Sequence, residues 1–378
     1  MEENRKYACW FYSVPGIGNR TIERLFAHCL DAEEIFRGGE SLWRQMLTAR
    51  QQEQIHLFAE RISPEMLWEE LSEKNIRFVM RSDAEYPDRL CDIPDPPYAL
   101  FVKGELPSQD ALSVAVVGAR DCSEYGRFVA DGIGRAMGEC GVQIISGMAR
   151  GIDGISQDAA LEAGGRSFGV LGCGVDVCYP ASNRPLYEKL CVQGGILSTH
   201  PPGTEPRSQH FPPRNRIVSG LADVLIVVEA REKSGTLITV DMALEQGKDV
   251  YIVPGRVTDR LSDGCNRLIK QGAGVFLSPE DFLRELRQGW QCGQGRSAKQ
   301  GVQSFQEAIP GRLTQLSDEY REVYDALDFA PRSIEQIQER LAGEYSGPEL
   351  MTVLMGLCVE KLAVQRSPGQ FCLRGSGG

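Results

Sequence analysis

Within residues 114–154 the chain twice runs a short β-branched segment into a glycine turn and on into a helix, and this tandem repeat restricts the folds open to it. The first copy begins at Val114 to Val117, too short and too β-branched for a helix and therefore predicted as a buried parallel strand. It passes through Gly118-Ala119-Arg120 and a polar loop with Ser123 and Gly126. A helix is predicted over Tyr125 to Gly138, where Phe128, Val129, Ile133 and Met137 keep helical spacing. The second copy runs from a strand at Val142 to Ile145 through Ser146-Gly147-Met148-Ala149-Arg150-Gly151-Ile152-Asp153 into a helix ending near Glu162. Such turns are built to receive anions, because the first amides of a helix lack partners, glycine permits close approach, and the helix dipole favours negative charge.

The alternation continues downstream. Strands are predicted at Phe168 to Leu171, Gly195 to Ser198, Val224 to Val228 and Val250 to Val253. A third glycine turn, Ser234-Gly235-Thr236, follows the strand at Val224. The fold class expected is α/β, an extended, Rossmann-like, doubly wound and mostly parallel sheet with ligands at the strand C-termini. Residues 73–286 form this domain, its front marked by the prolines between Ile76 and Gly104, which exclude long helices.

Three further segments are expected. Residues 1–72 read as a helical domain of SAM or helix-hairpin-helix type, with the tight turn Val14-Pro15-Gly16-Ile17-Gly18 serving either as a packing unit or as a phosphate contact. Residues 287–313, rich in Gln, Gly and Ser, read as a flexible linker. Residues 314–378 carry three helical stretches and two short apolar segments flanking Ser367-Pro368-Gly369, the pattern of a winged helix. Its second and third helices lack a basic run and hold Glu349 and Glu360, so protein interaction and DNA contact both stay open.

A net charge of −11 argues against nucleic acid coating the whole surface, so a polyanion needs a local patch. The twelve cysteines are scattered without CxxC spacing, and the start MEENRK is not a signal peptide, which leads to the expectation of a reduced, cytoplasmic protein. The longest apolar run is far shorter than a membrane span.

Catalytic signatures are sparse. Arg120 stands where a GxGxxG turn requires glycine, and no GxxxxGK[ST], HExxH or GxSxG motif occurs. No metal or cofactor is expected. Cations are better supplied: Arg120, Arg150 and Arg214-Asn215-Arg216 all follow strands and could line one groove, with Tyr179 or Phe211 stacking on unpaired bases. The competing reading pairs these arginines internally, Arg120 with Asp153 or Glu229 and Arg216 with Asp223. A second function class is a phosphoribohydrolase-type nucleotide enzyme, to which Ser234-Gly235-Thr236 with Glu245 has a faint likeness.

An ordered series of motifs resembles the DNA-processing protein A family, also called Smf, across residues 86–278. It comprises Gly118-Ala119-Arg120 with Ser123, Ser146-Gly147-x-Ala149-x-Gly151-Ile152-Asp153, Tyr179-Pro180-x-x-Asn183, Phe211-Pro212-x-Arg214-Asn215-Arg216-Ile217, Ser234-Gly235-Thr236 and Asn266-x-Leu268-Ile269. The resemblance implies a non-enzymatic, homodimeric recombination mediator. Such a protein binds single-stranded DNA, protects incoming strands in natural transformation, and helps load the RecA recombinase, with single-strand-binding protein a further partner. By position it implies DNA contacts at Gly118, Arg120, Ser123, Ser146, Gly147, Arg150, Gly151, Asp153, Tyr179, Asn183, Phe211, Arg214, Asn215 and Arg216. Two departures stand out. Thr199-His200 replaces a common acidic residue, and Ala181-Ser182 stands where some members carry a DNA-binding lysine, leaving that contact to Arg184 or to none.

Overall fold

The computed structural model describes residues 2–26, 31–293, 317–360 and 362–373. Its centre is a nine-stranded sheet: β1 (Arg77–Met80), β2 (Ala99–Gly104), β3 (Ser113–Val117), β4 (Gln143–Ser146), β5 (Ser167–Val170), β6 (Gly195–Ser198), β7 (Val224–Val227), β8 (Asp249–Ile252) and β9 (Gly274–Val275). The order is β1-β2-β6-β5-β4-β3-β7-β8-β9. From β6 to β9 every pairing is parallel, whereas β2 meets both β6 and β1 antiparallel. The proline-broken lead-in thus supplies an antiparallel edge to an otherwise parallel sheet, as its composition requires. The fold class expected from the sequence is the one observed.

The chain starts this parallel array at β3, winds outward through β4, β5 and β6, and returns to β7 on the other side of β3. Val114 pairs with Val224 and Ala115 with Leu225 across that return. Crossovers leaving neighbouring strands in opposite directions open a crevice at their C-terminal ends, where doubly wound sheets bind ligands.

Both faces are covered, and every residue of strands β3, β4 and β7 is buried. Helices Phe211–Leu221 and Gly235–Glu245 press Ile217, Val218, Leu221, Val240 and Ala243 onto one face. Helices Glu124–Glu139 and Ile152–Glu162 press Ala130, Ile133, Met137 and Ala160 onto the other. Among the described residues no helix is long and apolar enough to cross a membrane.

Five helices precede the sheet: Glu2–Ser13, Asn19–Phe26, Ala32–Met46, Ala49–Ala59 and Pro64–Glu73. Their buried cluster is continuous with residues of the sheet domain such as Phe78, Phe101 and Leu186, so they are welded to it. The hairpin turn expected near Gly16 is present and packs against the lead-in. Asn19 donates to the Pro96 carbonyl at 2.8 Å and accepts from the Tyr98 amide at 2.6 Å.

Beyond β9, helix Pro279–Gly293 continues past residue 287, where the sequence places the start of the linker, and residues 294–316 lie outside the described residues. The C-terminal module has helices Asp318–Ala326, Ile334–Arg340 and Gly347–Val359 and strands β10 (Arg332–Ser333), β11 (Ala363–Ser367) and β12 (Gln370–Leu373) in the antiparallel order β10-β12-β11. It has its own buried cluster around Ile337, Leu350, Leu354 and Phe371.

Candidate nucleic-acid interface

A groove of about 740 Å³ opens at the crevice between β3 and β7. Its walls are the turns after β3, β4 and β7 together with the start of helix Phe211–Leu221.

The first two turns are in direct contact. Ile152 donates its amide to the Ala119 carbonyl at 3.2 Å. A Cβ at Gly151 would lie 2.3 Å from that carbonyl, and the residue has φ +74°, so only glycine fits. A Cβ at Gly118 would lie 2.7 Å from the Ile152 side chain. These glycines therefore allow two turns to touch, which differs from the ligand approach expected from the sequence.

The turn after β4 is also closed to anions in a second way. Its Gly147 amide donates to the Asp153 carboxylate at 3.1 Å, and the Ala149 amide also favours that carboxylate's charged form. Met148, buried at φ +53°, donates its amide to Gln157 at 3.1 Å. Asn183 donates to the carbonyls of Met148 and Ala149 at 3.0 and 3.1 Å. The chain's own Asp153 occupies the place that an exogenous anion was expected to take. As an open backbone cradle, the Ser146–Asp153 turn is corrected.

Beneath it lies Arg214, only 7% exposed. Its Nη1 donates to the Gly147 carbonyl at 2.7 Å and to the Val170 carbonyl, and its Nε donates to Asn215 at 3.1 Å. Burial pushes the Asp153 carboxyl up and the Arg214 guanidinium down, while each charge holds back the other's shift; nearby Arg120 adds to the downward push on Arg214. Arg214 thus braces the floor of the groove.

On that floor Phe211 stacks with Tyr179, centroids 5.6 Å apart and planes at 27°. The guanidinium of Arg120 lies 5.6 Å above the Phe211 ring and that of Arg214 5.8 Å from it. Tyr179 keeps 40% exposure. Arg120 is exposed and carries no ion pair among the described residues; the pairings with Asp153 and Glu229 are not formed. Arg150 reaches Asp121 loosely at 3.8 Å, both largely exposed, at the mouth of a small adjoining cavity.

Other residues selected from the sequence face elsewhere. Ser123 caps helix Glu124–Glu139 and donates its amide to Glu229 at 2.9 Å and its hydroxyl to the same carboxylate. Burial raises the Glu229 carboxyl against the pull of Ser123. Ser146 is fully buried and donates to the Val116 carbonyl at 2.6 Å. Arg216 turns from the groove toward the proline-rich lead-in, donating to the Pro94 carbonyl at 3.3 Å and reaching Asp95. Asp223, its expected partner, takes Arg89 in a fork at 2.9 and 3.0 Å instead. Arg184 is exposed at the start of helix Arg184–Gln193, outside the groove lining.

The wall that residue selection missed is the turn after β7. Ser234 caps helix Gly235–Glu245 by accepting from the Thr236 amide at 3.2 Å, and Thr236 donates its hydroxyl to the Gly118 carbonyl at 3.2 Å. Gly235 is exposed with open space where a Cβ would stand. Arg231 and Lys233, both exposed and without ion pairs among the described residues, precede it and line the groove. The signal was available: two cations immediately before a Ser-Gly-Thr turn that opens a helix. Glu245, weighed as a catalytic group, is exposed at the far end of that helix and does not line the groove.

The sequence model of the family described as DNA recombination-mediator protein A matches residues 77–287, which contain every strand of the sheet and all three turns. The chain belongs to that family. The DNA processing protein DprA of Bacillus subtilis is 41% identical over 215 residues, 57% of this chain and 72% of that protein. Its counterpart in Streptococcus pneumoniae is 43% identical over 201 residues, 53% of this chain and 71% of that protein. The X-ray structure of the pneumococcal protein superimposes with TM-score 0.60 at 33% identity, covering 74% of this chain and 97% of that one. A Helicobacter pylori DprA, whose structure describes a single-stranded DNA binding mode, superimposes with TM-score 0.51 at 28% identity over 56% of this chain and 96% of that one. In this family setting, the groove's cations, without ion pairs among the described residues, and its stacked aromatics stand at the C-terminal ends of the parallel strands.

Proposed function

We propose that the protein binds single-stranded DNA along this groove as a recombination mediator, without turnover. The observation carrying it is the convergence of Arg120, Arg231 and Lys233, unpaired among the described residues, around the Tyr179 and Phe211 stack. Spaced cations follow phosphates and an open aromatic face accepts any base, which holds a flexible single strand without reading its sequence. The single-stranded DNA binding mode described for the H. pylori relative supports the same reading.

On this reading the protein acts as a homodimer that shields incoming strands, as in natural transformation. It helps load a RecA-type recombinase beside single-strand-binding protein, and it does so in the cytoplasm. The C-terminal module, read as a winged helix, serves contacts outside the groove. Titrating oligo-dT against a duplex of equal length, with particle mass read by light scattering, tests the core of it: tighter binding of the single strand by a dimer is expected, and equal affinity for duplex overturns it. Release of free base from nucleoside monophosphates would favour the nucleotide-enzyme reading instead.

A further inference from the structure

The C-terminal module rests on the central domain through charges and one aromatic knob. Arg256 donates to both oxygens of Asp328 at 2.7 and 2.8 Å, and Arg332 shares that carboxylate at 2.8 Å. Phe329 packs on Tyr125 and Phe128, with centroids 5.6 and 5.1 Å apart, and Arg366 reaches Glu124 at 2.5 Å. Among the described residues, none of the four buried clusters contains residues from both bodies. A cavity of about 530 Å³ stays open along the seam. Contacts of this make-up, ionic and without a shared core, permit separation.

The position of Arg256 gives that separation a consequence. It follows β8 through Val253-Pro254-Gly255, which places it on the sheet edge that also bears Arg120 after β3 and Arg231 and Lys233 after β7. The loop of residues 254–262 divides the two cavities, with Leu261 on the groove side and Arg256, Asp259 and Ser262 on the seam side. Arg256 is a further cation of the row, neutralised by Asp328 while the module is docked.

Resting on the single-stranded DNA reading above, we propose that the C-terminal module masks one end of the groove, and that undocking frees Arg256 as an additional phosphate contact. The bound strand then extends past β8. The docked form holds a shorter stretch of DNA and the undocked form a longer one.

The test uses the full chain and an oligo-dT of roughly 30 nucleotides, longer than one site. Arg366→Glu sets like charges against Glu124 without touching Arg256 or Asp328, and Phe329→Ala removes the knob without adding charge. A larger radius of gyration by small-angle X-ray scattering reports undocking. The undocked variants are expected to bind about threefold or more tighter, with a salt slope steeper by about 0.7, the value of one phosphate on a single strand. Adding Arg256→Ala to either variant is expected to abolish the gain. An expanded particle with unchanged affinity overturns the mask, as does a gain that survives loss of Arg256 or a particle that neither variant expands. Wild-type protein that ignores oligo-dT altogether strikes the underlying function instead, so the two failures are distinguishable.

Discussion

The groove has a buried floor and an exposed rim, and arginine serves both in opposite ways. Arg214, 7% exposed, spends its donors on the Gly147 and Val170 carbonyls and on Asn215. Arg120 and Arg231, with Lys233, stand in solvent with no ion pair among the described residues. The floor cation balances a buried carboxylate and holds three chain segments together, so its charge is committed. The rim cations have no such commitment, and only they can exchange counterions for phosphates. A cation at a strand end thus indicates a ligand contact only while no group of the fold holds it.

Substitutions separate these roles. Arg214→Met should have the largest effect, because it strands two carbonyls and leaves Asp153 without its counter-charge. A loss on the order of 3 kcal/mol in unfolding free energy is expected from denaturant titration. Native stability in that variant would move Arg214 from the floor to the rim. Gly147→Ala comes next: its Cβ would sit 2.7 Å from the Arg214 guanidinium, and overpacking of that kind costs about 1–3 kcal/mol, measurable by the same titration. For the rim the pattern reverses. Arg120→Ala should weaken oligo-dT binding about tenfold by anisotropy while stability changes by no more than about 0.5 kcal/mol; a matching loss of stability would collapse the distinction.

A further effect concerns acid. His200 and His210 stack at 4.3 Å beside Phe211, and burial with the neighbouring His210 pushes His200 down to about 4. The unfolded chain takes up this proton near pH 6.5 whereas the folded chain resists until about pH 4, so stability is lost as pH falls through that window. His200→Gln should flatten the decline of Tm between pH 6.5 and 4, and an unchanged pH profile would show that His200 does not set that decline.

Much of this was legible in the chain. Short β-branched runs alternating with helical periodicity require a parallel sheet, and the first two glycine turns do lie at its crevice. What the sequence does not carry is which groups are already partnered. Gly118 and Gly151 read as ligand glycines, yet they serve a contact between two turns distant by a whole helix. Arg216 adjoins Arg214 and Asn215 in sequence, but the helical rotation between neighbours sends it to Asp95. Asp223 meets Arg89, more than a hundred residues away, through a contact that no local spacing encodes. Arg231-Glu232-Lys233 resembles any charged surface loop until the sheet order brings it opposite Arg120. Identity and approximate position follow from periodicity, whereas commitment depends on the tertiary pairing.

The division between floor and rim is tested most directly by the salt dependence of oligo-dT binding. The measurement compares wild-type protein with Arg120→Ala/Arg231→Ala/Lys233→Ala by anisotropy, after confirming equal thermal stability. Three lost phosphate contacts should reduce the slope of log affinity against log salt by about 2. A triple variant that stays folded and keeps the wild-type slope would contradict the assignment of these cations to a DNA strand.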